Sequence, residues 1–166
     1  TASVDNNISY SDPWSDTDTV IQASSDAQLH DFITSLPEAY QTLVGERGVS
    51  LSGGQHQRAS IACGILTDAP ICVFDDAMAA IDARTEQRIR RALAERSGKR
   101  TTIIISHRLV SVMHADEILF LDEGRIVERG THDQLLALKG NYFALHSLQM
   151  RDERTTEWPL GQVSPA

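Results

Sequence analysis

Two short runs of branched and apolar residues, 71–74 and Thr101–Ile105, constrain the fold of this 166-residue chain more than any other feature. Each run has the length of a strand, and its continuous apolar character is typical of strands buried on both faces of a sheet. Between the two runs, Ile89 and Leu93 recur at helical spacing, which predicts a helix over 83–96. Strands that alternate with a helix in this way predict an α/β layered fold.

The N-terminal third of the chain is predicted to be helical. Residues 1–25 are rich in Ser, Asp, Asn and Thr, so we expect only short helices there. The apolar positions over 26–36 recur at helical spacing and stop at Pro37, which predicts a helix that ends before the proline. Glycines then mark a loop, and residues 52–66 are again typical of a helix.

Shorter elements are predicted for the C-terminal third. The sequence Asp122-Glu123-Gly124 predicts the turn of a hairpin. Thr131 and Gln134 have the spacing of a capping box, which predicts the start of a helix. The predicted elements are a helix over 109–114, strands over 117–121 and 125–128, helices over 131–138 and from 141 onward, and a loosely ordered tail over 151–166.

Composition excludes several classes of protein. With 41% hydrophobic and 23% charged residues, the chain is typical of soluble globular proteins, and no apolar run approaches the length of about 18 residues that a membrane helix requires. The net charge is -8, and residues 1–50 hold eight acidic residues against Arg47 alone, which argues against a general role in binding nucleic acid. Cys63 and Cys72 form neither a zinc set nor a disulfide framework, which favours a reducing, cytoplasmic setting. Because the chain begins without Met or a signal peptide, we expect it to be part of a longer protein.

A glycine pair opens the helix predicted over 52–66. The sequence is Leu51-Ser52-Gly53-Gly54-Gln55. Adjacent glycines allow the backbone to approach a ligand closely, and the first N–H groups of a helix suit an anion such as phosphate. Ser52 adds a hydroxyl donor. The alternative is that Ser52 and Gln55 form only a capping box.

Each predicted strand also ends in polar residues. Asp75 and Asp76 end the first strand, at the edge where α/β sheets place their ligands. A carboxylate there suits Mg²⁺ held through water, and its neighbour can orient a nucleophilic water. His107 follows the second strand and can donate a hydrogen bond to a transferring phosphoryl group. The alternatives are solvated acids at the end of a strand and an ordinary surface histidine.

These motifs are more informative in combination. The motif at 51–55, a strand with paired acids about 20 residues later, Asp82, and a strand followed by Ser-His-Arg resemble the nucleotide-binding domain of ATP-binding cassette (ABC) transporters. The likeness continues through 122–132 and covers about residues 1–150. It implies an ABC helical subdomain over 1–66 and part of a RecA-like P-loop NTPase core, with a mostly parallel sheet, over 67–150; the flexible tail is expected over 151–166.

The resemblance assigns roles to the residues that carry it. In the family, two domains form a head-to-tail dimer that holds ATP between the P-loop of one subunit and the signature motif, here residues 51–55, of the other. Asp75 would bind Mg²⁺, Asp76 would be the catalytic carboxylate and His107 the switch histidine. Asp82 matches the D-loop aspartate at the dimer interface. The residues expected to contact the γ-phosphate are Ser52, Gly53, Gly54 and Gln55.

The resemblance also implies partners for the chain. Residues 42–48 are similar to the loop that exporter-type cassettes place against the coupling helices of their membrane domains. It therefore implies an exporter ATPase at the cytoplasmic face of the cell membrane, with transmembrane domains encoded upstream in the same chain. A second nucleotide-binding domain would complete a homodimer or a heterodimer. A soluble cassette that acts on nucleic acid is the alternative that the acidic balance disfavours.

One departure from the family pattern concerns the catalytic carboxylate. Asp76 stands where the family usually has Glu, so the carboxylate is about 1.5 Å shorter in reach. Residues 77–81 also lack the usual Thr and Ser. These changes predict weak hydrolysis at this site, as in the degenerate half of heterodimeric exporters, whereas the retained His107 argues the other way.

The second departure concerns the P-loop, whose pattern requires Lys after Gly and then Ser or Thr. The lysines of this chain are Lys99 and Lys139, and neither fits the pattern. We therefore expect this segment alone to be inactive and poorly stable unless an upstream polypeptide completes its sheet. The absent P-loop also leaves open a non-catalytic module that contributes only its signature surface to a partner.

Overall fold

The computed structural model describes residues 1–45, 48–67, 69–96 and 100–156. The chain forms two compact units, Thr1–Ser106 and His107–Ala166. Glu46 and Arg47, in the loop predicted to resemble that of exporters, lie outside the described residues, as does the 157–166 part of the predicted tail. Because the units divide after residue 106, they do not test the subdomain boundary predicted at residue 66, which stays a prediction.

The first unit combines a helical N-terminal region with a parallel pair of strands. Strands β3 (Ile71–Asp75) and β4 (Thr101–Ile105) pair in parallel, with Ile71 opposite Thr101 and Asp75 opposite Ile105, as the two apolar runs predicted. Strands β1 (Ala2–Ser3) and β2 (Leu43–Val44) form an antiparallel pair. The elements in chain order are β1 (Ala2–Ser3), α1 (Val4–Ile8), α2 (Thr17–Asp26), α3 (His30–Thr34), β2 (Leu43–Val44), α4 (Gly53–Leu66), β3 (Ile71–Asp75), α5 (Ala83–Arg96) and β4 (Thr101–Ile105).

The N-terminal helices differ from the prediction. Helix α2 has 10 residues, longer than the short helices expected over 1–25, because the Asp16 side chain caps its start and Val20, Ala23 and Ser24 bury one face. The helix predicted over 26–36 is shorter and forms only as α3. Its N-terminal part is replaced by a turn in which Gln28 adopts a φ of 56°.

Packing in the first unit covers one face of the β3–β4 sheet. A buried apolar cluster includes Ile61 and Ile65 from α4, Phe74 from β3, and Ile89 and Leu93 from α5. The Arg96 guanidinium at the end of α5 binds the Asp26 carboxylate of α2, with an Nη2 to Oδ2 distance of 2.7 Å. The prediction that both faces are buried is wrong for this structure, because the described residues leave the opposite face uncovered. The apolar side chains exposed there are those of Ile71, Val73, Ile103 and Ile105.

The second unit is built on a hairpin and two helices. Its elements are α6 (Leu109–Val112), β5 (Ile118–Asp122), β6 (Arg125–Gly130), α7 (His132–Leu138) and α8 (Asn141–Thr156). Strands β5 and β6 are antiparallel, and a capping box of Thr131 and Gln134 begins α7, so both predictions are confirmed. Helix α8 continues into the region predicted as a tail. The buried apolar residues are Leu109, Ile118, Leu135 and Tyr142.

A buried carboxylate organises the start of α8. Glu128, only 9% exposed, accepts hydrogen bonds from the backbone N–H groups of Asn141 and Tyr142. A Cβ atom at Gly140 would collide with this carboxylate, so a side chain at this position would require Glu128 to move. The side chain of Glu128 therefore supplies the N-terminal cap that the sequence around Asn141 does not provide.

The mixture of helices and strands confirms the predicted α/β class. Among the strands of the described residues, β3 and β4 are the parallel pair, and an isolated parallel bridge also joins Val44 and Val49. Among the same residues, none of the helices combines the length and the apolar character needed to cross a membrane.

Candidate functional site

The glycine pair lies at the first turn of α4. Ser52 is the N-cap residue: its Oγ accepts from the Gln55 backbone N–H at 3.3 Å, and the Gln55 Oε1 accepts from the Ser52 backbone N–H at 2.8 Å. The capping box considered from the sequence is therefore present. It leaves the Ser52 hydroxyl hydrogen as a donor, since the Oγ atom serves the cap as an acceptor. A role in binding phosphate stays a prediction for both side chains.

Gly54 brings the start of α4 into contact with the segment that follows β3. A Cβ atom at Gly54 would lie 2.9 Å from the carbonyl oxygen of Ala80, closer than such atoms approach in proteins. A glycine is therefore needed for this close approach. Ser52 and Gly53 are exposed, so the first N–H groups of the helix face solvent, where an anion can reach them.

The predicted carboxylates lie where β3 ends. Asp75 is the last residue of the strand, and both Asp75 and Asp76 are exposed. Asp76 has a φ of 46°, in the left-handed region that few residues other than Gly adopt. Its backbone N–H donates to the Ile105 carbonyl at 2.9 Å, and its carbonyl accepts from the Ala79 N–H at 3.2 Å. The surrounding backbone thus holds Asp76 in a sparsely populated conformation.

Gln57 joins α4 to this segment and was not identified from the sequence. Its Nε2 donates to the Asp76 carbonyl at 3.3 Å, and its Oε1 accepts from the Ala80 backbone N–H at 2.7 Å. The available signal was helical spacing, because Gln57 follows Gly53 and Gly54 by four and three residues and so shares their face. An amide on the face that approaches another backbone segment is well placed to bind it.

Asp82 has a local partner in the structure. Its Oδ1 accepts from the Thr85 backbone N–H at 3.0 Å, which caps the start of α5. This hydrogen bond lowers the pKa of Asp82 below its usual value, because the bond favours the charged carboxylate. The D-loop role stays a prediction, and the geometry adds a capping role that the sequence analysis did not include.

His107 belongs to the second unit, where a glutamine holds its backbone. Gln149 on α8 donates from Nε2 to the His107 carbonyl at 2.7 Å, and its Oε1 accepts from the Leu109 N–H at 2.9 Å. The His107 residue itself is exposed. Gln149 was not identified from the sequence, because its partners lie about 40 positions away along the chain.

The structure therefore brings together two of the three predicted motifs. Gly54 and Gln57 connect the signature motif to the segment that carries Asp75 and Asp76, whereas His107 lies in the other unit. In the described part of the chain, no cluster of three or more His, Cys, Asp or Glu side chains is suited to a metal ion. Asp75 supplies a single hard carboxylate, the arrangement that suits Mg²⁺ when phosphate oxygens and water complete its coordination.

Comparison with known proteins identifies the family. A family model described as ABC transporter matches residues 2–79. An uncharacterized ABC transporter ATP-binding protein of Bacillus subtilis is 46% identical over 158 residues, which is 95% of this chain. The chain belongs to the ABC transporter family. Its α/β fold is that of a partial P-loop NTPase, as the resemblance implied.

Other proteins similar to this chain are named as a flippase and as an exporter. An ATP-dependent lipid A-core flippase of Chromohalobacter salexigens is 47% identical over 146 residues, covering 88% of this chain and 25% of the flippase. A solved structure of a bacterial Atm1-family ABC exporter with ATP bound matches 99% of this chain at 37% identity with a TM-score of 0.84. The cassette chain spans 27% of the length of that exporter and also 27% of the Bacillus subtilis relative.

Proposed function

We propose that this chain is an ATP-binding and ATP-hydrolysing segment of an ABC exporter, which powers translocation of a substrate across a membrane. The observation that carries the proposal is the contact of the α4 N-terminus with the Asp76–Ala80 backbone through Gly54 and Gln57. This contact fixes a helix end suited to phosphate next to two carboxylates at a strand end, and in the head-to-tail dimer the two groups would serve different ATP molecules. The names of the lipid A-core flippase and of the Atm1-family exporter support the same function.

The residues present fit ATP and Mg²⁺. The exposed first turn of α4 offers backbone N–H groups and the Ser52 hydroxyl, which are the donors that a γ-phosphate requires. In the proposed arrangement this ATP is held by the P-loop of a second nucleotide-binding domain. At the other ATP of the dimer, bound by the P-loop that completes this cassette, Asp75 would hold Mg²⁺ with the help of water. When it is bound, Mg²⁺ neutralises charge on the phosphates.

Hydrolysis places one task on each reactive residue. As the oxygen of water forms its bond to the γ-phosphorus and the bond to the ADP oxygen breaks, the carboxylate of Asp76 accepts the proton that water loses. His107 donates a hydrogen bond to an oxygen of the transferring phosphoryl group. Asp82 would lie at the interface between the two domains. Residues 42–45 belong to the loop proposed to contact the membrane domains at the cytoplasmic face.

A second candidate function follows from the short side chain of Asp76. A base displaced by about 1 Å can lose on the order of 100-fold in rate, so this site would hydrolyse ATP slowly. In that case the chain serves chiefly to contribute its signature motif to the ATP site of a catalytically complete partner. The retained His107 favours the hydrolytic role.

The test uses the full-length protein, purified with its natural partner and reconstituted in lipid vesicles. Asp75→Asn should abolish Mg²⁺-dependent ATP hydrolysis at this site, whereas Asp31→Asn, which changes an exposed aspartate on α3, should leave it unchanged. Turnover that survives Asp75→Asn unchanged would overturn the proposed function. Hydrolysis without any ATP-dependent movement of substrate would instead support a cassette that is not a transporter.

The degenerate-site alternative has its own test. Asp76→Glu restores the longer side chain, so a large rise in turnover would support a degenerate native site. An unchanged rate would contradict that alternative and leave the hydrolytic role for Asp76 itself. The matched control is Asp122→Glu, which makes the same change at an exposed residue at the end of β5.

A further inference from the structure

We infer that Gln57 is a positioning residue for ATP hydrolysis: it fixes the backbone of Asp76 relative to the helix that carries the signature motif. The inference rests on the proposed function, since it assigns a role in that reaction. Gln57 is half-buried in the second turn of α4. Two hydrogen bonds of its side chain go to residues outside this helix, Asp76 and Ala80.

The amide of Gln57 uses its two ends on two different backbone groups. Its Nε2 donates to the carbonyl of Asp76 at 3.3 Å, and its Oε1 accepts from the N–H of Ala80 at 2.7 Å. The side chain therefore closes the loop between residues 76 and 80 from both sides. Because Gly54 packs against the Ala80 carbonyl one turn earlier, the loop is fixed to α4 at two successive turns.

The conformation of Asp76 makes its position dependent on these contacts. A φ of 46° is maintained only where surrounding bonds over-determine it. Those bonds include the one from the Asp76 N–H to Ile105 and the two that the Asp76 carbonyl accepts, from Ala79 and Gln57. Ile105 belongs to β4 and Ala79 to the same loop as Asp76, whereas Gln57 links Asp76 to the signature helix. Removing this link leaves Gly54 packed against Ala80 but loosens the hold of α4 on the Asp76 backbone.

A shift of this kind matters because a catalytic base must remain within hydrogen-bond reach of its water. The short side chain of Asp76 has little reach with which to compensate for backbone movement. As a positioning residue, Gln57 binds neither the phosphates nor the attacking water, so its loss should lower the rate of the chemical step rather than the affinity for ATP.

The experiment measures ATP hydrolysis by the full-length protein in its natural complex. Gln57→Met preserves the volume of the side chain and removes both hydrogen bonds, and Gln57→Glu keeps an acceptor for Ala80 but cannot donate to Asp76 as a carboxylate. Both variants should lower kcat about tenfold, with KM for ATP changed by less than about twofold. Gln87→Met is the matched control, because Gln87 is exposed on α5, and it should change neither constant.

Each outcome separates this inference from the function on which it rests. A wild-type complex without ATPase activity would overturn the proposed function, and the role of Gln57 with it. Wild-type activity that Gln57→Met leaves unchanged would overturn the inference alone. Recovery of the full kcat in Gln57→Glu would show that donation to Asp76 is irrelevant, and a rise in KM without a fall in kcat would assign Gln57 to ATP binding instead.

Discussion

The two compact units each hold a predicted reactive residue by the same chemical device. In the first unit, Gln57 binds the backbone around Asp76 with one donated and one accepted hydrogen bond, and in the second unit Gln149 binds the backbone around His107 in the same way. The difference lies in the origin of the glutamine. Gln57 is 19 residues from Asp76 and belongs to the signature helix, whereas Gln149 is 42 residues from His107 on the last described helix.

The helices that carry the two glutamines also differ in how they are packed. Helix α4, which carries Gln57, belongs to an apolar cluster whose buried members extend from Val4 to Leu93. Helix α8, which carries Gln149, belongs to a cluster of four buried apolar residues and depends on the carboxylate of Glu128 at its start. We conclude that the same contact is supported mainly by apolar packing in one unit and largely by polar contacts in the other.

The largest expected difference comes from deleting one core side chain in each unit. Ile61→Ala and Leu135→Ala should each cost about 2–5 kcal/mol of local stability, because both side chains are at most 1% exposed. Hydrogen exchange on the full-length protein should then show the Leu109 amide losing protection in Leu135→Ala. The Asp76 amide should keep its protection in Ile61→Ala. Equal losses at both amides would remove the contrast between the units.

Removal of Glu128 should have the next largest effect. Glu128→Ala leaves two backbone N–H groups at the start of α8 without their acceptor, at a cost of about 2–3 kcal/mol. Glu95→Ala, at an exposed residue paired with Arg91 on α5, should cost less than about 0.5 kcal/mol. Hydrogen exchange of the α8 amides measures the first effect. Unchanged exchange in Glu128→Ala would mean that apolar packing alone holds the helix.

Gln149→Met tests whether the two glutamines are equivalent in function. The loss of one bond to the His107 carbonyl and one from the Leu109 N–H should lower kcat for ATP about three- to tenfold in the full-length protein. KM should stay nearly constant, as for Gln57→Met. A full rate in this variant would indicate that His107 needs no such support, and the likeness between the units would then be structural only.

The smallest expected effect is a difference in acid sensitivity between helix caps. The caps of α2 and α5 are Asp16 and Asp82, whose pKa values are lowered by hydrogen bonds from Thr19 and Thr85. Their contribution to stability is complete above the usual pKa of aspartate and is lost as pH falls through the lower folded value. The cap of α7 is Thr131, which does not titrate.

As the pH is lowered, amide hydrogen exchange should therefore increase at the first turns of α2 and α5 at a higher pH than at the first turn of α7. Asp82→Asn should remove the acid dependence at α5 while it keeps a capping side chain. A first turn of α5 that responds to acid equally in the wild type and in Asp82→Asn would contradict this account.

Local sequence patterns predicted the elements but not the contacts between them. Strands β3 and β4 and the helix over 83–96 were predicted from apolar patterns, and the capping boxes at Ser52 and Thr131 from the spacing of their residues. These features depend on interactions within a few residues, which a pattern can register. The left-handed turn at Gln28, which shortens α3, depends on packing between helices and has no such pattern.

The same distinction applies to the candidate site. The carboxylates and glycines were found because their residue types and their order resemble those of a family. The bonds of Gln57 and Gln149 were missed because an amide that binds distant backbone leaves no mark in a single sequence. Positioning contacts of this kind become visible only once the fold brings the partners together.

The contact between Glu128 and Gly140 links the residue types that positions 128 and 140 can hold in related chains. The carboxylate occupies the space that a side chain at position 140 would need, and its place is fixed by the amides of Asn141 and Tyr142. A larger residue at position 140 would therefore displace the carboxylate from these amides. Across an alignment of related chains, we expect larger residues at position 140 to be enriched where position 128 is not acidic.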